Sequence, residues 1–390
     1  MRKRILIGLT VLIAVAAAAF FLLAPGILER GMNKVKPAKL KPVSGRIAEL
    51  HSRLQIADMH ADTLLWSRSV IGAGTRGQVD LPRLEAGNVA LQVFSSVTKT
   101  PKGQNYDSNG ADSDNITLLA FAQLQPPRTW FSLIERSLWH SAKLHRAENE
   151  SGGRLRIIRN GAGLRRLLAD RRRGLKVIGA LLSVEGLHNL EGDLANLDRL
   201  RAADFRMAGL VHFFDNELGG SMHGTKKGGL TPFGRKVVRR MEELGMIVDV
   251  AHASPATVRD VLAMAQRPVV SSHGGVQATC KVNRNLDDEQ IRGIAATGGV
   301  IGIGYWDAAV CGTGPEAIAD AILHVKRVAG IDHVALGSDF DGAVTTGFDT
   351  SKLAHLTQAL ADRGFTDEEI GKVMGDNLLG VLEQGMRPGG

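Results

Sequence analysis

The chain has 390 residues, 44% hydrophobic and 23% charged, which is the make-up of a globular protein rather than a disordered one and enough for one large α/β barrel with extensions. The formal charge of +8 is localised. Residues 1–41 hold eight basic residues (Arg2, Lys3, Arg4, Arg30, Lys34, Lys36, Lys39 and Lys41) against the single acid Glu29, so only one net charge remains for everything beyond. A near-neutral body excludes the nucleic-acid reading that the overall charge invites.

At the start of the chain, Arg2-Lys3-Arg4 precedes an uncharged run from Ile5 to Leu28. Crossing a bilayer takes roughly 20 apolar residues, whereas the apolar part of a signal peptide has about 7–15. Residues 1–28 are therefore expected to be an N-terminal membrane anchor or signal segment. The anchor places the body on the exported side, periplasmic or extracellular, because the basic cluster at the very start favours an inside N-terminus. The alternative is a secreted protein released by cleavage near Ala16–Ala19. Residues 29–47 are basic and proline-containing, without apolar periodicity, and read as a linker. The C-terminal run Gln384–Gly390 has no hydrophobic tail of the kind that directs a lipid anchor.

From residue 48 onward, apolar runs alternate with amphipathic stretches. Strands are expected near 56–61, 89–95, 176–184, 206–212, 246–251, 267–272, 299–304 and 333–338. Helices are expected at 193–203, 231–244, 255–265, 286–297 and 315–329. Eight strands alternating with helices predict a (β/α)8 TIM-type barrel over 48–390. Two stretches depart from the rhythm, a polar loop at 99–116 and a Gly-rich excursion at 213–231. In such a barrel these loops lie at the C-terminal ends of the strands, where active sites are built.

The residues at those strand ends are unusual. His60 and Asp62, two apart, project to the same side of a strand and suit a zinc-like cation. Later runs end in Glu185, His212, His252 and His273, and the last enters Asp339-Phe340-Asp341-Gly342. One histidine after an apolar run is ordinarily a hydrogen-bonded structural residue. So many strand ends carrying only His, Asp and Glu would desolvate strongly hydrated groups together, and a metal is the usual compensation. The two cysteines, Cys280 and Cys311, are compatible with one disulfide or with two free thiols.

In order, these segments resemble the membrane (renal) dipeptidase family, zinc peptidases of the amidohydrolase-type barrels. The matching segments are Asp58-Met-His-Ala-Asp62, Val79-Asp-Leu-Pro-Arg-Leu-Glu-Ala-Gly87, Val184-Glu-Gly186, Leu210-Val-His212 and Leu230-Thr-Pro-Phe-Gly234. They continue with Val248-Asp-Val-Ala-His-Ala-Ser254, Pro268-Val-Val-Ser-Ser-His273, Arg284-Asn-Leu-Asp-Asp288, Gly337-Ser-Asp-Phe-Asp-Gly342 and Asp376-Asn-Leu-Leu379. The likeness spans about residues 48–385.

The resemblance implies two Zn2+ per chain bridged by Glu185. His60, Asp62 and Glu185 would hold the first, and Glu185, His252 and His273 the second. One carboxylate can span ions about 3.5–4 Å apart, and a water between them loses a proton near neutral pH and becomes the nucleophile. Asp339 would act as general base and then protonate the leaving amine. His212 would bind substrate and stabilise the oxyanion. Arg284, read without the family as a surface arginine, would clamp the substrate carboxylate, a task that suits its planar fork. The resemblance also implies a Cys280–Cys311 disulfide.

The expected function is thus a membrane-anchored zinc dipeptidase. One alternative is a zinc amidohydrolase of the same fold acting on N-acyl amino acids or lactams. Another is a catalytically silent barrel serving as a binding protein, disfavoured because neither a ligand nor Asp339 is lost. A homodimer is compatible with the sequence, which does not fix oligomeric state. Two segments depart from the family pattern, Leu210-Val-His-Phe-Phe-Asp-Asn216 and Tyr305-Trp-Asp-Ala-Ala-Val310, and both are expected to line the substrate pocket. His188 and His223 are expected to be solvated loop residues. His51, His140, His145, His324, His333 and His355 are assigned no role.

Overall fold

The computed structural model describes residues 2–386, so the last four residues of the expected barrel domain lie outside the described residues. The barrel strands are the apolar runs themselves. Ile56–Ala61, Val89–Val97 and Ile178–Glu185 are buried along their whole length, as parallel strands covered on both faces must be. Ile56–Ala61 pairs in parallel with Val89–Val97, which pairs with Ile178–Glu185, then Phe205–Gly209, then Ile247–Asp249. On its other edge Ile56–Ala61 pairs with Val334–Leu336, which pairs with Ile301–Ile303.

The ring closes through residues 269–271. The sixth expected strand is not a full strand but a pair of parallel bridges, Asp249 to Val270 and Ser271 to Ile301. The reason is close packing. A Cβ at Gly299 would fall on the Val269 carbonyl, and one at Gly302 or Gly337 on the Ser272 carbonyl, so backbones approach here where side chains would separate them. The result is the (β/α)8 TIM-type barrel. In the barrel sheet, one strand was not anticipated: Leu155–Ile157 pairs with the beginning of Ile178–Glu185, ahead of the residues that pair with Phe205–Gly209.

The expected helices form with recognisable starts. Thr231 and Ser254 cap Pro232–Glu243 and Pro255–Leu262, each with proline in its first turn, where a missing N–H does no harm. Asp287 and Gln290 form a reciprocal capping box on Asp288–Ala296. Pro315–Ala329 and Ala195–Ala202 fall where the periodicity placed them. Cys280 and Cys311 form a disulfide with a Cα–Cα distance of 5.3 Å. It joins the loop after the sixth strand position to the segment after Ile301–Ile303.

The N-terminal helix runs from Arg2 to Met32, past the boundary expected at residue 28. The stretch read as a linker is folded onto the body. Glu29 is fully buried and accepts hydrogen bonds from Arg68 Nε and Arg76 Nε, both at 2.6 Å. Asn33 Oδ1 accepts from the Ala343 amide at 2.8 Å. Lys34–Val35 pairs in parallel with Thr345–Thr346. The basic composition suggested a tether because Lys34, Lys36, Lys39 and Lys41 are all exposed, while the backbone, the few non-basic side chains and an ion pair of Lys41 with Asp362 at 3.0 Å make the attachment.

Candidate active site

The strand ends converge at one face of the ring. Glu185 is the last residue of its strand, and its carboxylate is the centre of the group. Oε1 lies 2.9 Å from His252 Nε2, 3.2 Å from His273 Nε2 and 3.5 Å from His212 Nε2. Oε2 lies 3.6 Å from His60 Nε2. His60 Nε2 is in turn 3.5 Å from Asp62 Oδ1 and 3.9 Å from Asp339 Oδ1. All seven residues are buried. Their ligand atoms form three overlapping triads, each within 4.8 Å: His60–Glu185–His273, Glu185–His212–His252 and His60–Asp62–Asp339.

Residues that sequence reasoning gave no role hold this geometry. Ser272 Oγ lies 2.8 Å from His273 Nδ1 and 3.4 Å from His60 Nδ1. Occupying both Nδ1 atoms leaves both Nε2 atoms aimed inward, the usual arrangement around a ligating imidazole. Buried Asp58 accepts hydrogen bonds from the His60 amide, Gln92 Nε2 and the amide and hydroxyl of Ser338, pinning the first and last strands together. Asp249 Oδ1 accepts from the amides of Ala251 and Ser272. Both aspartates stood inside quoted segments, but a carboxylate within a strand gives no local sign of which backbone it will bond.

Two site residues have left-handed backbones without being glycine: His252 (φ 63°) and Asp339 (φ 59°). Such positions cost of order 1–3 kcal/mol and persist where the surrounding structure enforces them, typically at functional sites. Gly342 permits the carboxylates their places, since a Cβ there would fall on the Asp339 carboxylate and lie 2.9 Å from Asp62 Oδ2.

The charges are strongly coupled. Burial pushes the Asp339 carboxyl well above its ordinary range and also raises Asp62, whose neighbour Glu185 adds to the effect. Burial also drives His252 and His273 well below the usual imidazole value, reinforced by Arg284 and by His60 respectively. Glu185 goes the other way. Burial alone would raise it, but His212, His60 and the hydrogen bonds from His252 and His273 hold it well below the usual range. Burial would lower His60, yet Asp62 and Glu185 carry it well above.

Two observations show that this set fits a divalent cation. His60 Nε2 and Asp62 Oδ1 are buried without a hydrogen-bond partner, and the His252 and His273 Nε2 atoms stand 3.0 Å apart facing the same oxygen. Imidazole nitrogens and carboxylate oxygens converging in this way are the donors that zinc-like ions take.

Arg284 is buried rather than on the surface, 1% exposed. Its Nη2 donates to the His273 carbonyl at 2.8 Å and lies 3.4 Å from His252 Nε2, with the guanidinium 5.7 Å from the Trp306 ring. Trp306 Nε1 donates to Tyr106 Oη at 3.0 Å, which brings the polar loop over the site. His188 and His223 are buried, not solvated. His188 Nε2 bonds Thr98 Oγ1 at 3.0 Å, and His223 stacks on Phe213 with its Nδ1 at 2.9 Å from the Tyr106 carbonyl. Their loops fold inward, which composition did not reveal. Asp341, one step beyond Asp339, bonds Thr63 Oγ1, Arg68 Nη2 and the Gln78 amide and so is structural. A cavity of about 820 Å3 opens over the centre, lined by Asp62, Glu185, His212, Arg284, Trp306 and Asp339 together with residues of the N-terminal helix.

The profile of the membrane dipeptidase family (Peptidase family M19) matches residues 44–387. The chain belongs to the membrane dipeptidase family. It is 29% identical over 367 residues to Dipeptidase aclJ of Aspergillus oryzae, covering 86% of this chain and 79% of that protein. An uncharacterised dipeptidase of Schizosaccharomyces pombe is also 29% identical, over 316 residues, with 78% and 72% covered. Among solved structures, the probable dipeptidase PvdM from Pseudomonas aeruginosa has a TM-score of 0.74 at 20% identity, with 88% of this chain and 98% of that one covered. A metallopeptidase from Rhodobacter sphaeroides, liganded with a phosphinate mimic of the dipeptide L-Ala-D-Ala, has a TM-score of 0.72 at 24% identity over 85% and 99%. At these identities the structures show the same fold. The membrane dipeptidase assignment makes the protein a metallopeptidase-type hydrolase and implies a metal cofactor, for which the Glu185 cluster is a candidate site.

Proposed function

We propose that this membrane dipeptidase homologue is a binuclear zinc dipeptidase, held by its N-terminal helix on the exported side of a membrane. The observation that carries the reading is the divided environment of Glu185, with Oε2 toward His60 and Oε1 toward His252 and His273. His60, Asp62 and Glu185 would hold one ion, and Glu185, His252 and His273 the other. When bound, such a pair acidifies water and polarises the scissile carbonyl.

The chain's own groups supply the remainder. Asp339, beside His60 and raised by burial, takes a proton from the attacking water and returns it to the leaving amine nitrogen. His212, on the opposite side of Glu185, donates a hydrogen bond to the oxygen that becomes negative as the carbonyl carbon turns tetrahedral. Arg284 binds the substrate's free carboxylate, held in place by the His273 carbonyl and Trp306. The solved relative with an L-Ala-D-Ala mimic supports a dipeptide substrate. The disulfide supports an oxidising, exported compartment, and the helix, with 18 consecutive residues of mean hydropathy 2.8 and none of them buried, supports anchoring.

The test is hydrolysis by the full-length protein in detergent, with zinc and after chelation, of L,L- and L,D-dipeptides and N-acetyl amino acids. Chelator-sensitive release of amino acids from dipeptides is the expected result. Cleavage confined to the acyl amino acids would move the enzyme to the deacylase reading. No turnover with zinc bound would revive the silent barrel. The intact mass of membrane-purified protein tests the anchor: a chain beginning near residue 20 means a cleaved signal.

A further inference from the structure

The barrel alone does not enclose the cavity over the Glu185 centre. Part of its wall is the N-terminal helix. Phe20, Ala24, Ile27, Leu28 and Met32 border the same 820 Å3 as Asp62, Glu185 and Asp339. Leu65, Ile116 and Leu119 add further apolar lining. Pockets that hold drug-sized ligands span about 300–1,000 Å3, so this space exceeds the needs of a dipeptide with small side chains. Its polar groups are those of the reaction centre and the mouth of the polar loop, and the helix contributes only apolar surface.

The helix has two parts. Residues 3–20 are all exposed. From there on, Phe21, Pro25, Glu29 and Asn33, four apart and therefore on one face, turn to the body as half-buried or buried groups. The buried Glu29 pairs with Arg68 and Arg76 and the Lys34–Val35 strand pairing fix that second part in place. Eighteen residues rise about 27 Å, close to the ~30 Å hydrocarbon core of a bilayer. With the exposed part spanning, the docked turns and the cavity beside them sit at the membrane surface. A second feature agrees. Leu118, Phe121, Leu124 and Phe131 are 66%, 39%, 65% and 86% exposed, and Phe121 meets Phe21 edge-on at 5.3 Å. Exposed apolar side chains grouped beside a spanning helix are what the membrane interface accommodates.

We propose that this enzyme's substrates are amphiphilic amides, in which a free-carboxylate amino acid reaches the Glu185 centre and the other half carries a long alkyl group lodged against the N-terminal helix, taken up from the bilayer surface. The proposal rests on the amide-hydrolase reading above, because the carboxylate end is assigned to Arg284 and the apolar wall is left to the acyl half.

The experiment uses full-length, zinc-loaded protein in phosphatidylcholine–phosphatidylglycerol nanodiscs. It compares Ala-Ala with a dipeptide whose N-terminal residue bears a decyl side chain. Each methylene fully removed from water favours binding by about fourfold, so kcat/KM for the decyl peptide should exceed that for Ala-Ala by at least tenfold. In the Ile27→Asp/Leu28→Asp double variant that ratio should fall toward one. Partitioning into lipid is common to both proteins, so the change in ratio isolates the wall. Equal kcat/KM for the two peptides, or a ratio untouched by the double substitution, overturns the proposal. Failure to cleave either peptide would overturn the dipeptidase reading instead. In that case equilibrium binding of the same peptides to Asp339→Asn protein decides: at least tenfold tighter uptake of the decyl peptide, lost in the double variant, supports the wall, and equal affinity removes it.

Discussion

Asp339 combines a left-handed backbone with a carboxyl that burial raises well above its ordinary range. Both features suit a group that carries a proton between water and a leaving amine. Asp339→Asn is expected to lower kcat by about 10^2–10^4, the usual contribution of general acid–base catalysis, with metal content by atomic absorption unchanged. Loss of metal would make Asp339 a ligand and its assigned role wrong. Arg284→Ala should raise KM steeply for dipeptides with a free carboxylate and hardly at all for their amides; equal damage to both would remove the clamp. The residues that converge at the centre were legible because His, Asp and Glu at strand ends are conspicuous in type and position. Ser272, Asp58 and Asp249 were not. What they do depends on which backbone amide or imidazole nitrogen the fold brings within 3 Å, and nothing local in the sequence states that.

Among the elements, the strands with continuous apolar runs were read nearly to the residue. The sixth position shrank to two bridges because glycines across from it let backbones close in. Leu155–Ile157 escaped notice because three residues with a central arginine show no periodicity. The disulfide ties the loop carrying Arg284 to the segment carrying Trp306. Cys311→Ser should therefore lower stability by roughly 3–4 kcal/mol for a closed loop of this length and raise KM more than it lowers kcat, as read by thermal unfolding and steady-state kinetics.

Helix Gly45–Arg53 is joined to helix Ala354–Asp362 by His51 Nδ1 and Thr357 Oγ1 at 2.8 Å. Burial lowers His51 to about 4. An unfolded histidine takes a proton near 6.5, which the folded one refuses until pH 4, so this contribution is complete above pH 6.5 and declines by up to about 1.4 kcal/mol per unit as pH falls to 4. Denaturant unfolding at pH 7 and pH 5 should show the loss, and His51→Gln should reduce it. An unchanged difference in the variant would mean the slope arises elsewhere.

At the scale of the whole molecule, the proposed metal ligands come from the first, third, fifth and sixth positions of the ring, so bound ions would cross-link the barrel across its diameter. Metal that binds only the folded state adds about 2.7 kcal/mol at a hundred times its dissociation constant. Chelation should accordingly lower Tm by calorimetry as well as abolish activity. A Tm indifferent to zinc would separate the centre from folding.

The body-docked end of the N-terminal helix was the least legible part, since a lysine-rich stretch reads as solvated whether or not its backbone is paired. Its attachment sets a practical limit on producing the enzyme without its N-terminal apolar helix. Cutting where the composition changes, near residue 42, deletes Glu29 and leaves Arg68 with Asp341 as its remaining salt-bridge partner, two residues from Asp339. Removing one member of a buried ionic group costs about 3–5 kcal/mol. A soluble form trimmed to begin before Phe20 retains Glu29, Asn33 and the Lys34–Val35 strand, and is the version in which crystallisation and kinetics would describe the same active site that the cell uses.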